Sequence, residues 1–182
     1  RIAKWNTTTN TWSSLPGGGG VNNGITGVDK TVDSIVVSGS DIYVGGTFDI
    51  ASGSSANNIA KWNTVTNTWS SLPSGGGTNN GVDNAVNAIA LSGSDIYVGG
   101  VFTAASGSSA NRIAKWNTAT NTWSALGTGL NSTVNAIAVS GSDIYVGGVF
   151  TTAGGSSANR IAKWNTTTKD RKSTRLNSSH RT

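Results

Sequence analysis

The chain repeats one unit, and this repetition limits the folds open to it more than any other feature does. The string Ile-Ala-Lys-Trp-Asn begins four times, at Ile2, Ile59, Ile113 and Ile161. The string Ser-Gly-Ser-Asp-Ile-Tyr-Val-Gly-Gly begins three times, at Ser38, Ser92 and Ser140. Successive copies of the first string are 57, 54 and 48 residues apart. Repeats of about 50 residues that hold several short strands are typical of propellers and other stacked arrays.

Each unit is predicted to form four strands, which we name a, b, c and d. In the middle unit we place them at residues 86–91, 95–102, 112–117 and 122–126. Strand a is a nearly unbroken apolar run, which is typical of a strand covered on both faces. Short turn-forming segments join a to b and c to d, which favours antiparallel hairpins. No window has a helical period, so we predict an all-β fold.

Two features of the unit resemble kelch repeats. Strand b ends in a glycine pair within Asp-Ile-Tyr-Val-Gly-Gly, as a kelch strand does. Two aromatic residues lie seven apart across strands c and d, the first being Trp where kelch repeats usually have Tyr, in the pairs Trp5/Trp12, Trp62/Trp69 and Trp116/Trp123. The resemblance covers residues 1 to about 168 and implies a β-propeller of four-stranded antiparallel blades. The Gly-, Ser-, Thr- and Asn-rich linkers are closest to those of bacterial secreted or cell-surface propellers.

The repeats account for 13 strands, which make three blades and one further strand. Within 1–168 we assign a partial unit at 1–15 and units at 32–72, 86–126 and 134–165. Because propellers have roughly four to eight blades, we predict an incomplete β-propeller, an arc of about three blades from a longer protein. Its expected partners then include the missing blades of the same protein. We also expect the arc to end in an unpaired strand c.

Residues 169–182 leave the repeat, which would continue with Asn-Thr-Trp after Thr168. Residues 170–182 resemble an in-frame translation of a sequencing adapter, so we predict that 169–182 is a non-native tail. A natural basic tail is the alternative. The net charge of +5 falls to +2 without 170–182, because that segment holds four of the 13 basic residues and one of the eight acidic ones. We therefore expect no nucleic-acid partner, and interpret the strand-c cations as solvent-facing or edge charges that discourage strand addition.

Outside the tail the chain has no His, Cys or Glu. General acid–base catalysis needs paired groups with tuned pKa values, and no such pair can be placed here, so we predict no catalytic residues, no metal and no cofactor. One aspartate recurs in each a–b turn and is predicted to bond nearby backbone amides; these residues are Asp41, Asp95 and Asp143. A calcium site among Asp29, Asp33 and Asp83 is a weaker alternative, since no EF-hand spacing is present.

The d–a connection changes length between units while every other segment is constant. In an antiparallel blade the d–a and b–c connections emerge on the same face. Length variation on one face of a repeat array indicates the binding face, although neutral variation of exposed loops is the alternative. The candidate binding residues are Asn22, Asn23, Asp29, Asn79, Asn80, Asp83 and Asn131.

These observations predict a non-enzymatic binding or structural module that contacts an unidentified protein or carbohydrate through the d–a and b–c face. No apolar run approaches the roughly 20 residues of a membrane span. The composition and the resemblance favour an extracellular or cell-surface location. The alternative is part of a kelch-like propeller enzyme, an oxidase or hydrolase, whose catalytic residues lie outside this chain.

Overall fold

The computed structural model describes residues 2–15, 31–73 and 80–168, and the backbone alone of 25–26 and 171–172. All regular elements in these ranges are β-strands. In chain order the strands are β1 (Ala3–Asn6), β2 (Thr11–Ser14), β3 (Ile25–Thr26), β4 (Thr31–Ser38), β5 (Asp41–Thr47), β6 (Ile50–Ala51), β7 (Ser54–Ser55), β8 (Ile59–Asn63), β9 (Thr68–Ser70), β10 (Val86–Ser92), β11 (Asp95–Gly100), β12 (Ala104–Ala105), β13 (Ser108–Ser109), β14 (Ile113–Asn117), β15 (Thr122–Ala125), β16 (Val134–Ser140), β17 (Asp143–Gly148), β18 (Thr152–Ala153), β19 (Ser156–Ser157), β20 (Ile161–Asn165) and β21 (Arg171–Lys172).

The long strands form three four-stranded antiparallel sheets and one two-stranded hairpin. The first sheet has the order β4-β5-β8-β9, the middle sheet β10-β11-β14-β15 and the third sheet β16-β17-β20-β21. The N-terminal hairpin is β1-β2. In the middle sheet the predicted strands a to d agree with β10, β11, β14 and β15 to within two residues at each end. The predicted all-β, four-stranded architecture is therefore confirmed.

The prediction of an unpaired strand c in the third sheet is wrong, because β21 pairs with β20. In this pairing Arg171 lies opposite Trp164. The middle sheet places Trp123 opposite Trp116 in the same register. In each pair the two residues lie seven positions apart in the sequence. The c–d turn therefore brings residue 171 to the position of the second Trp of the repeat. The segment predicted to be a tail thus supplies a two-residue strand d.

The core lies between consecutive sheets. Tyr43 and Ile59 of the first sheet share one cluster of buried residues with Val86 and Trp116 of the middle sheet. The middle and third sheets form an equivalent cluster. The sheets approach closely because strand b carries glycine there: a Cβ at Gly99 would lie 2.4 Å from Val134 Cγ1. The first glycine of the pair is therefore required by the inter-sheet contact, whereas the second, Gly100, lies against the Ala85 carbonyl at the start of strand a in its own sheet.

The aspartate that opens each strand b has a different partner from the one predicted. Asp95 accepts hydrogen bonds from Lys115 Nζ at 2.9 Å and Asn117 Nδ2 at 2.6 Å on the neighbouring strand c. Both other sheets repeat the arrangement, with Lys–Asp distances of 3.3 and 2.8 Å. Asp41, Asp95 and Asp143 therefore link strands b and c by side chains. For Lys61, Lys115 and Lys163 the edge interpretation is also wrong, since strand c lies between b and d in these three sheets.

Candidate functional site

The d–a and b–c connections lie together at one end of the sheets, as predicted for this strand order. We call this surface the connection face (residues 48–58, 80–85, 102–112, 127–133 and 150–160). Its d–a segment runs between the b–c connections of two consecutive sheets. Asn57 N donates to Asn80 O at 2.7 Å, and Ser106 N donates to Gly81 O at 2.8 Å. The two d–a connections in the described ranges that lead to the middle and third sheets therefore each join two sheets by backbone hydrogen bonds.

Each b–c connection folds into a small hairpin that sequence reasoning treated as a loop. In the first sheet β6 and β7 pair through Ile50↔Ser55 and Ala51↔Ser54. The two residues between them have φ of 50° at Ser52 and 84° at Gly53. Positive φ at both central positions is typical of a tight two-residue hairpin turn. The signal that could have predicted the hairpin was the Ser-Gly of the first two units and the Gly-Gly of the third, each followed by Ser-Ser.

Asp83 and Asn131 occupy equivalent places and make equivalent hydrogen bonds. Asp83 Oδ1 accepts from the backbone N–H of Thr103 at 2.7 Å and Ala104 at 2.9 Å, and Oδ2 accepts from Thr103 Oγ1 at 2.7 Å. Asn131 Oδ1 accepts from Thr151 N and Thr152 N at 3.0 and 2.9 Å. Both side chains thereby fasten a d–a connection to the b–c hairpin of its own sheet.

These hydrogen bonds also set the charge state of Asp83. Partial burial raises its pKa, but the hydrogen bonds from the Thr103 hydroxyl and from the N–H groups of Ala104 and Thr103 outweigh burial. The net result is a pKa below the ordinary value of 3.8. Hydrogen bonds to the ionised form favour that form, so Asp83 is an anion at neutral pH.

Of the predicted binding residues, the structure brings Asn80, Asp83 and Asn131 to the connection face. Asn22, Asn23, Asp29 and Asn79 lie outside the described residues. The binding role of all seven stays a prediction. Within the described ranges no group of three or more His, Cys, Asp and Glu side chains could hold a metal ion. Nor does any described helix have the length and apolar character needed to cross a membrane.

A groove of about 390 Å³ opens on the connection face between the first and middle sheets. It is lined by Thr47, Phe48, Asp49, Asn57, Asn58, Val82 and Asp83. Sequence reasoning selected Asp83 and missed the b–c residues, because the b–c connection has constant length. The available signal was a difference in residue type between repeats. Asp49 stands where the next unit has Thr103, and Asn58 stands where it has Arg112.

The groove combines acidic and amide groups. Asn58 Nδ2 donates to Val82 O at 2.9 Å, which ties the two walls together. Asp49 is exposed, and its carboxylate has no side-chain partner among the described residues. The next unit has Thr103, Arg112 and Asn131 at the positions of Asp49, Asn58 and Asp83, so the same inter-sheet position there carries no acidic group. The groove can therefore attract positive charge, whereas the equivalent position of the next unit carries the cation Arg112 instead of an acidic group.

The comparisons with known proteins agree on the fold. The family model of the Rax2 C-terminal beta propeller domain matches residues 73–180, which is more than half of the chain. The crystal structure of the extracellular domain of BT4673 from B. thetaiotaomicron is similar with a TM-score of 0.55 and 14% sequence identity. That match covers 94% of this chain and 19% of the other, so this chain spans about a fifth of its length. No curated protein matches the sequence.

The family match and the three four-stranded sheets confirm the predicted β-propeller. The structural likeness, at its low sequence identity, shows the fold alone. The chain belongs to the family of the Rax2 C-terminal beta propeller domain.

Proposed function

We propose that this chain is a non-enzymatic binding module of a kelch-like propeller, and that it holds a protein or glycan ligand on the connection face. The groove between the first and middle sheets is the proposed contact. The observation that carries the proposal is the change of residue type there. Asp49 and Asn58 replace Thr and Arg of the other two units, in a chain whose strands otherwise repeat almost unchanged.

The polar groups fall into two classes, those bonded within the protein and those left exposed, and this difference supports the proposed role. The repeated Asp, Lys and Asn of strands b and c satisfy one another inside each sheet. Asp83 is held by three internal hydrogen bonds. Asp49, in contrast, offers an exposed carboxylate beside Asn57. A carboxylate next to an amide suits the hydroxyl groups of a sugar or the N–H groups of a peptide, because both kinds of ligand need acceptors and donors close together.

An extracellular or cell-surface location is part of the proposal. The similar structure is an extracellular domain, and the linkers are rich in Gly, Ser, Thr and Asn. Solvent-exposed, hydrogen-bonding connections carried on rigid sheets are a common way to present a binding surface. The same location would expose the connection face to glycans and to proteins of other cells.

The test is to probe the labelled 182-residue chain on an array of immobilised oligosaccharides and on a displayed peptide library. The variant is Asp49→Thr, which introduces the residue that the two other units have at this position of the same backbone. We expect specific binding that Asp49→Thr weakens by about tenfold or more, corresponding to about 1.4 kcal/mol. Val65→Ala, at a c–d turn at the opposite end of the sheets, is the control and should bind normally. Failure to bind any probe, or equal binding by Asp49→Thr, would overturn the proposal.

A further inference from the structure

One repeat position on the connection face carries Arg in two sheets and Asn in the other, on the same backbone. The residue that precedes strand c is Asn58 in the first sheet, Arg112 in the middle sheet and Arg160 in the third sheet. All three residues have a left-handed backbone, with φ of 60°, 64° and 63°. In each sheet the N–H of this residue donates to the carbonyl of the repeated phenylalanine, at 2.6, 2.9 and 2.9 Å. The three side chains therefore start from equivalent positions.

Arg112 shows what a guanidinium group contacts at this position. Its Nη1 donates to the backbone carbonyls of Val101 and Phe102, the second at 3.2 Å. A guanidinium group carries five N–H donors in one plane, so it can bond to several neighbouring acceptors at once. The middle sheet thus binds its own guanidinium group at the start of its b–c connection.

The shorter side chain of Asn58 bonds in a different direction in the first sheet. Its Nδ2 donates across the groove to Val82 O at 2.9 Å. The carbonyls equivalent to those that Arg112 contacts belong to Thr47 and Phe48, and both residues line the groove of about 390 Å³. Because a carbonyl oxygen has two lone pairs, Phe48 O can accept a second hydrogen bond beside the one from Asn58 N. The groove therefore opens beside the carbonyls that hold a guanidinium group in the middle sheet.

The charges of the groove favour a cation at this place. Two of the described residues that line it, Asp49 and Asp83, are acidic, and none of them is basic. Asp49 is exposed and directly follows Phe48 in the chain. Hydrogen bonds between a guanidinium group and a carboxylate are roughly twice as strong as those between neutral groups. The groove thus offers carbonyl and carboxylate acceptors together, and its described lining supplies no cation for them.

We propose that the groove binds the guanidinium group of an arginine side chain of a partner protein, in the place equivalent to that of the Arg112 guanidinium. The proposal rests on the binding role proposed above and specifies a protein as the ligand. The carbonyls of Thr47 and Phe48 accept hydrogen bonds from the guanidinium group, and Asp49 pairs with its charge. Arginine is enriched among the residues that contribute most to protein–protein binding. This chain also shows, at Arg112, an arginine side chain bonded to the same acceptors.

The first experiment is an NMR titration of the isotope-labelled 182-residue chain with N-acetyl-arginine methylamide. We expect saturable shifts of the backbone amides of Phe48 and Asp49 and of the side-chain amide of Asn58. N-acetyl-lysine methylamide should bind about tenfold more weakly, because a compact ammonium group cannot make the planar paired contacts. A titration without saturable shifts from the arginine probe, or equal affinity for the two probes, would overturn the inference.

Asn58→Arg tests the position of the bound group by supplying a guanidinium group from the chain itself. The middle and third sheets carry Arg at this position on the same backbone, so the variant should fold. The arginine probe should then cause no saturable shift at the groove. Val65→Arg adds the same charge at an exposed turn and should bind the probe as the natural chain does. Equal binding by Asn58→Arg and the natural chain would contradict the proposed position.

A peptide-display selection on the natural chain tests whether a protein supplies the guanidinium group. The selected peptides should share one arginine, and its replacement by the neutral analogue citrulline should weaken binding about tenfold or more, since the charge-assisted hydrogen bonds are lost. Peptides that share no arginine, or free arginine that binds as tightly as the peptides, would overturn the assignment to a protein. Glycan binding that depends on Asp49, without any binding of arginine, would overturn this inference and leave the proposed function standing.

Discussion

The middle and third sheets carry the same nine-residue string from strand a into strand b, yet differ in burial. Tyr97 in the middle sheet is 2% exposed, and its counterpart Tyr145 is only half-buried. The two strands nevertheless pair with strands a and c in the same register. The difference arises because the third sheet follows the middle one and covers it, while no described strand covers the third. The local sequence thus determines strand and register, and the neighbouring sheet determines burial.

The largest expected difference is between two isoleucines at one repeat position. Ile89→Ala should cost about 2–5 kcal/mol of unfolding free energy, because it removes a buried side chain from the inter-sheet core. Ile35→Ala should cost less than about 1 kcal/mol, since Ile35 is half exposed already. Urea unfolding of both variants at low protein concentration measures the contrast. Equal costs would show that position, rather than coverage by the preceding sheet, sets the energy.

The second contrast uses the first glycine of each pair. Gly99→Ala should lower the unfolding free energy by about 1–3 kcal/mol, because the new methyl overlaps Val134 Cγ1. Gly147→Ala should change it by no more than about 0.5 kcal/mol. Thermal and urea unfolding of the dilute chains give the two values. If Gly99→Ala left the unfolding free energy unchanged, the two sheets would be able to move apart without loss of stability.

The third prediction concerns the ionisation at alkaline pH of the two tyrosines that are covered by the following sheet. Burial and the nearby carboxylates of Asp41 and Asp95 raise the pKa of Tyr43 and Tyr97 from 10.0 to about 12. Because the pKa of each tyrosine is higher in the folded chain than in the unfolded chain, the folded state is favoured as long as both tyrosines are neutral. Their contribution to the free energy of unfolding is therefore complete below pH 10 and is lost as the pH rises through about 12.

Tyrosinate absorbance during alkaline titration should therefore show Tyr43 and Tyr97 ionising late. Comparison of the natural chain with Tyr43→Phe and Tyr97→Phe assigns each residue to its part of the curve. Ionisation of either tyrosine near pH 10.0, while the chain is still folded, would contradict the proposed effect of the covering sheet.

The smallest expected effect compares Asp83 with Asn131 on the connection face. Asp83→Asn should keep the hairpin fastened at neutral pH, because Asn131 makes the same contacts in the next unit. The pKa of Asp83 is lowered in the folded chain, so its stabilisation is present above 3.8 and is lost as the pH falls below that value.

Melting temperatures measured from neutral pH downward should therefore fall less steeply in Asp83→Asn than in the natural chain. Asp83→Ala is the matched control, and it should lose about 1 kcal/mol of stability at neutral pH, because the N–H groups of Thr103 and Ala104 lose their acceptor. Identical acid profiles for the natural chain and Asp83→Asn would show that the carboxylate contributes no pH dependence.

Much of the fold followed from short patterns, and much of the site did not. The apolar run of strand a, the Tyr-Val-Gly-Gly of strand b and the spacing of Trp116 and Trp123 predicted the four strands to within two residues. Asp49 and Asn58 were missed because they lie 34 and 25 residues before Asp83 in the chain, and only folding brings the three residues to one groove. The partner of Asp95 was missed because Lys115 lies 20 residues away on another strand.

The sequence by itself determined the repeat, the strands and the order in which they pair, because side-chain alternation and turn residues act over only a few positions. The tertiary structure decided which copies of the repeat are buried, which carboxylates stay free and where residue 171 pairs. These properties depend on contacts between sheets about 50 residues apart in the chain, where identical local sequences meet different neighbours. Tyr97 and Tyr145 show this most directly, since they share one local sequence and differ in what lies against them.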